Sequence, residues 1–122
     1  MKLIDTSCWI QALRARGKPE VRERVRNLVL NGQAAWCSAV RLELWAGVGK
    51  EPEGKVLRHY AEVLPDYPIT EVVWEESMLL AERGRRKGYR ASANDVLIAA
   101  CARFHGVPVE HDDRDFEWLM TI

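Results

Sequence analysis

Short apolar runs that end in an acid or a capping residue alternate with longer stretches in which apolar residues recur at helical spacing. Residues 2–5 (KLID) read as a strand closed by Asp5, and residues 7–15 set Cys8, Ile10, Ala12 and Leu13 mostly at helical intervals. Pro19 occupies a plausible first helical position ahead of Val21, Val25, Leu28 and Val29 on one face, and Asn31 with Gly32 stops that helix. A second strand is expected over 34–37 (AAWC), then Ser38 as the N-cap of a helix over 39–48. A further helix is expected over 54–64, after which Pro65 and Pro68 bracket a turn or a short extended segment around Ile69. Residues 71–87 carry Val72, Trp74, Met78, Leu79 and Ala81 at helical intervals and run into the basic stretch Arg83 to Arg90. The pattern then predicts a helix over 94–105, a stop at Gly106, a strand over 107–109 and a short helix within EHDDRDFEWL.

Strands separated by helices imply right-handed crossovers and a parallel sheet covered on both faces. The expected fold is therefore an α/β/α three-layer sandwich with a central parallel sheet, formed by residues 1–122 as a single domain. In such folds reactive groups gather at the carboxyl ends of the strands. Asp5 and Asp113 both follow expected strands, which directs them to that edge.

Composition narrows the picture only in places. A chain of 122 residues that is 48% hydrophobic is long enough to bury a core without staples. It contains no apolar stretch of about 18 residues, and its first apolar residues meet Asp5 too early for a signal peptide. The expectation is a soluble cytoplasmic protein with no membrane association. Cys8, Cys37 and Cys101 are odd in number and sit in apolar runs, which fits reduced, buried thiols. Eighteen basic and eighteen acidic side chains cancel, so net charge neither demands nor excludes a nucleic-acid partner.

The candidate chemistry rests on Asp5, Glu43, Asp95 and Asp113. Each has an ordinary reading alone. Asp5 and Asp113 suit helix caps, Asp95 completes a capping box with Ser92, and Glu43 suits a solvated helix face, although small neighbours (Ala39, Ala46, Gly47) leave that face open. Jointly the pattern is more informative, because five of the six aspartates fall in the three segments expected at the carboxyl edge. Clustered carboxylates raise one another's pKa unless a cation neutralises them, and hard oxygen ligands suit Mg²⁺ or Mn²⁺. Lys and Arg are the alternative source of neutralisation. Asp112 competes with Asp113 for the fourth position, and the spacing to Asp115 and Phe116 favours Asp113.

LIDTS near the N-terminus, LELWAGV in mid-chain, NDVLIAACARFHG and the late DRDF resemble, in order, the PIN-domain ribonucleases, specifically VapC-like toxins of toxin–antitoxin pairs. The resemblance spans nearly the whole chain. It implies a metal-dependent endoribonuclease in which Asp5, Glu43, Asp95 and Asp113 are catalytic and hold Mg²⁺ or Mn²⁺, with Thr6 beside the metal as a supporting hydroxyl. It also implies an RNA substrate, a cognate antitoxin and a homodimer. The chain departs from the family at His111, where a Thr or Ser is common; a strand-end residue and a phosphate contact or extra ligand are the two readings there. The basic stretch Arg83, Arg85, Arg86, Lys87 and Arg90 reads either as RNA steering or as a solvated helix end. Trp9, Trp45 and Trp74 read as core or interface aromatics or as stacking platforms. The alternative functional class is a non-catalytic RNA- or protein-binding module.

Overall fold

The computed structural model describes residues 1–122. In chain order the elements are β1 (Lys2–Ile4), α1 (Thr6–Leu13), α2 (Pro19–Leu30), β2 (Ala34–Cys37), α3 (Ser38–Ala46), α4 (Glu51–Val63), β3 (Asp66–Tyr67), α5 (Glu71–Arg86), α6 (Ala93–Phe104), β4 (Val109–Glu110) and α7 (Asp115–Leu119). The strands form one four-stranded sheet in the order β3-β2-β1-β4, with every neighbouring pair parallel. Helices flank it in a three-layer α/β/α arrangement, as the pattern predicts.

That strand order creates the geometry the site uses. From β1 the chain steps to β2 and β3 on one side, then returns to lay β4 on the other side of β1. The crevice between the carboxyl ends of β1 and β4 is thus a topological switch point, where ligands bind in open α/β sheets. Leu3 and Ile4 of β1 and all of β2 are buried, as strands covered on both faces must be. Helix α6 is buried from Val96 through Ala102 without a break, so it is embedded in the core rather than laid on it. Four of those seven side chains are Ala or Cys, small enough to let neighbouring elements approach from every side. Gly106, at φ +69°, ends α6 in a left-handed turn that only glycine adopts without strain and redirects the chain into β4.

Several boundaries differ from expectation for local reasons. Cys37, still extended at φ −138° and ψ 170°, is the residue that precedes α3, so the Ser38 hydroxyl comes one position too late to cap it. Helix α4 starts at Glu51 rather than 54, because Pro52 fits the first turn and Glu51 and Glu53 favour the positive end of the helix dipole. Strand β3 lies between the two prolines and not around Ile69; Pro68 biases Tyr67 toward extended backbone, and the Pro65 carbonyl accepts from the Trp36 amide at 3.1 Å. Strand β4 begins at Val109, since Pro108 has no N–H for the ladder and offers only its carbonyl, to Leu3 N at 3.0 Å.

Helix α5 meets α7 at a glycine. A Cβ on Gly84 would fall 2.7 and 2.9 Å from two ring carbons of Trp118. Gly84→Ala is expected to lower stability by about 1 kcal/mol in urea unfolding, because overpacking of roughly 1–3 kcal/mol outweighs the gain of about 1 kcal/mol in helix propensity. A variant as stable as the parent would mean that Trp118 moves aside freely.

Candidate active site

Asp5 follows β1 directly and caps α1. Its Oδ2 accepts from the Ser7 amide at 3.3 Å and the Ser7 hydroxyl at 2.6 Å, which is ordinary capping geometry. Its Oδ1 is buried and has no hydrogen-bond partner, although the residue is only 2% exposed. Burial pushes the Asp5 carboxyl above its ordinary value, against the bonds from Ser7 and Thr6 that pull it down. An acid serving only as a cap has no need of a second, stranded oxygen in the interior.

Asp95 stands three residues into the α6 region, where the Ser92 hydroxyl caps its amide at 3.1 Å, fulfilling half of the expected capping box. Its pKa is pushed up from 3.8 to about 6, first by burial and then by the nearby charge of Asp5, with Asp113 and Glu43 adding to the effect. Asp113 lies in the turn between β4 and α7, its Oδ1 accepting from the Asp115 amide at 2.9 Å. The ligand oxygens of Asp95, Asp113 and Asp115 all lie within 4.8 Å of one another. Glu43 reaches the same edge from α3. Its Oε1 accepts from the Thr6 hydroxyl at 2.8 Å and also from the Asn94 amide, which donates in addition to the Ala39 carbonyl at 3.2 Å. The residues beside two of the acids, Thr6 and Asn94, therefore clamp a third.

The structure separates the two aspartates that compete for the fourth position. Asp112 points away to an exposed ion pair with Lys18 at 2.6 Å, which holds its carboxyl below the usual range, whereas Asp113 joins the cluster. His111 stacks on Phe116, ring centroids 5.4 Å apart, and its Nδ1 lies 3.4 Å from the Asp113 amide, so it shapes the turn that carries Asp113. Trp9 is wholly buried, Trp45 lies under the Arg58 guanidinium, and Trp74 is half exposed on α5. The basic stretch divides: Arg83 donates to the Ile122 carbonyl and Arg86 pairs with Glu82, while Arg85 and Arg90 form no ion pair.

Two participants escaped the sequence reading. Asn94 was visible only as a residue inside the Ser92–Asp95 capping box, and Asp115 only as a spacing marker for Asp113. None of Asp5, Glu43, Asp95, Asp113 and Asp115 has a Lys or Arg partner within 4.0 Å, so the protein supplies no cation of its own to this edge. Gathered carboxylates, a stranded buried oxygen and an all-oxygen donor set fit a hard divalent cation of the Mg²⁺ or Mn²⁺ type. A surface cavity of about 470 Å³ against α2 and Tyr60 lies elsewhere.

A parallel α/β/α domain with acids gathered at the β1/β4 switch point is the architecture of the PIN domain, and residues 2–119 match that family, to which this chain belongs. Within it the chain is similar to the VapC ribonucleases. It is 33% identical to Ribonuclease VapC21 of Mycobacterium tuberculosis over 85% of this chain and 78% of that one. It is 32% identical to Ribonuclease VapC11 of the same organism, over 100% of this chain and 93% of the relative. Among solved structures the fold is shared with VapBC2 from Rickettsia felis bound to a promoter DNA fragment, at TM-score 0.78 and 20% identity over 95% of this chain and 90% of that one.

Proposed function

We propose that this protein is a divalent-metal-dependent endoribonuclease and the toxin of a toxin–antitoxin pair. The observation that carries the reading is the set of carboxylates at the β1/β4 edge that no protein cation neutralises. It is supported by relatives named as ribonucleases and by a structural neighbour described as a VapBC complex. Asp5, Glu43, Asp95 and Asp113 are the proposed catalytic and ligand residues, with Asp115 completing the set. Bound Mg²⁺ or Mn²⁺ supplies Lewis acidity and offsets charge that builds on the phosphate during hydrolysis.

The chain's own groups divide the remaining work. The Ser7 bonds fix one Asp5 oxygen and leave the other free for the cation. Thr6 and Asn94 do the same for Glu43, both bonding Oε1. No cysteine serves as a nucleophile: all three are buried, and burial pushes the Cys8 thiol up to about 12. No helix is long and apolar enough to cross a membrane; the cytoplasm is the proposed compartment. A cognate antitoxin and a second copy of the chain are the proposed protein partners, and exposed Trp74 and Met78 on α5 support such contacts.

The test is cleavage of single-stranded and structured RNA by purified protein with Mg²⁺ or Mn²⁺, then with EDTA. Cleavage is expected to stop in EDTA and return when the metal is restored. Undiminished cleavage in EDTA overturns the metal requirement. No cleavage and no divalent-ion binding by calorimetry would favour the non-catalytic module.

A further inference from the structure

A cavity of about 300 Å³ opens beside the acidic edge, lined by Arg85, Tyr89, Arg90, Val96 and Trp118. Its position is fixed by two links to the site. Val96 directly follows Asp95, and the Trp118 indole N–H donates to Asp115 Oδ1 at 3.2 Å. Its chemistry is that of a nucleotide subsite. Tyr89 stacks on Trp118, centroids 5.2 Å apart and planes 17° from parallel, yet remains 46% exposed. Arg85 and Arg90 are exposed at the same cavity, and neither has an acidic partner, unlike Arg86.

We propose that this cleft holds the RNA strand next to the scissile phosphate, with a base stacked against the Tyr89–Trp118 pair and Arg85 and Arg90 on flanking phosphates. The proposal rests on the ribonuclease reading and adds to it the surface that grips substrate. Two unpaired guanidinium groups beside a carboxylate cluster answer a physical need. An edge that collects acids repels a polyanion, and cations placed next to it, but not inside it, draw the strand in without neutralising the ligands. Aromatic faces bind single-stranded bases with little sequence preference. Gly84 admits the Trp118 ring at close range, so the platform is backed by helix backbone.

The experiment measures binding of a fluorescein-labelled single-stranded RNA of mixed sequence by anisotropy in EDTA across a salt series, and KM and kcat for cleavage in Mg²⁺. The Arg85→Gln/Arg90→Gln double variant is expected to bind about 10-fold or more weakly near 0.1 M salt. Its salt slope should fall by about 1.4, the value for two phosphate contacts to a single strand. KM should rise while kcat and the melting temperature stay at the parent values. Tyr89→Leu should weaken binding by about 10-fold with an unchanged slope, separating stacking from charge. Unchanged RNA affinity and slope in the double variant overturn the proposal and leave the arginines to a protein partner. A parent protein that binds RNA through these arginines yet never cleaves it defeats the nuclease reading while the cleft stands.

Discussion

Asp95→Asn is expected to reduce RNA cleavage by at least about 100-fold while making the metal-free protein more stable. Removing an outer partner of a metal ligand already costs about 10–100-fold, and Asp95 is proposed as a ligand itself. The stability change has the opposite sign because partial burial, and then the nearby charges of Asp5, Asp113 and Glu43, raise the Asp95 pKa from 3.8 to about 6. A carboxyl with a raised folded pKa contributes favourably below about 3.8, and that contribution is lost as pH rises through about 6. At neutral pH the metal-free fold therefore carries the full repulsion. Asparagine keeps the shape and removes the charge. With allowance for solvent screening the gain is about 1 kcal/mol, roughly 3–6 °C in melting temperature at pH 7.5, and little at pH 4. Asp112→Asn, which loses only its surface pair with Lys18, should leave the rate within about 2-fold. Cleavage assays with thermal melts in EDTA at the two pH values check both halves. Parental activity in Asp95→Asn would remove it from the site.

Trp9→Ala is expected to cost about 3–5 kcal/mol of stability. Trp9 is fully buried in α1, with its ring centroid 5.8 Å from that of Trp36 and 5.3 Å from that of Tyr60. It thereby joins the helix capped by Asp5 to β2 and α4. Domains of this size have only about 5–15 kcal/mol in total, so the variant should be partly unfolded at growth temperature. Trp9→Phe should be much milder, because it keeps an aromatic ring and deletes an indole N–H that is buried without a partner. Urea unfolding of both variants is the measurement. A Trp9→Ala loss below about 1 kcal/mol would mean that the cavity collapses around neighbouring side chains.

Some of this was legible in the chain because function and local structure use the same residues. Asp5 and Asp95 fall at helix starts, where caps are readable from a few residues of sequence, and the alternation of strand and helix placed those starts at one sheet edge. What resisted reading was decided by non-local contacts. Spacing to Asp115 and Phe116 favours Asp113, but nothing near HDDRD reveals that Lys18, far away in sequence, draws Asp112 off while Asp113 and Asp115 lie close to Asp95. The basic stretch was equally ambiguous, since its division depends on Glu82, the C-terminal Ile122 carbonyl and a cavity wall from α7. Strands β3 and β4 have two residues each, too few for alternation to mark their limits, and flanking prolines and pairing partners set them instead. Asn94 was hidden in a cap motif; its amide matters only because α3 packs where it can be reached.

The bond from the Trp118 indole to Asp115 gives one side chain two employers, the stacking platform and the acidic edge. A substitution at Tyr89 or Trp118 that changes how tightly a strand is held would also disturb the orientation of Asp115. Grip on the strand and the geometry of the acidic edge are therefore not separate dials in this molecule. Arg85 and Arg90 line the same cavity without an ion pair to any of these acids, so substitutions there should change the grip alone.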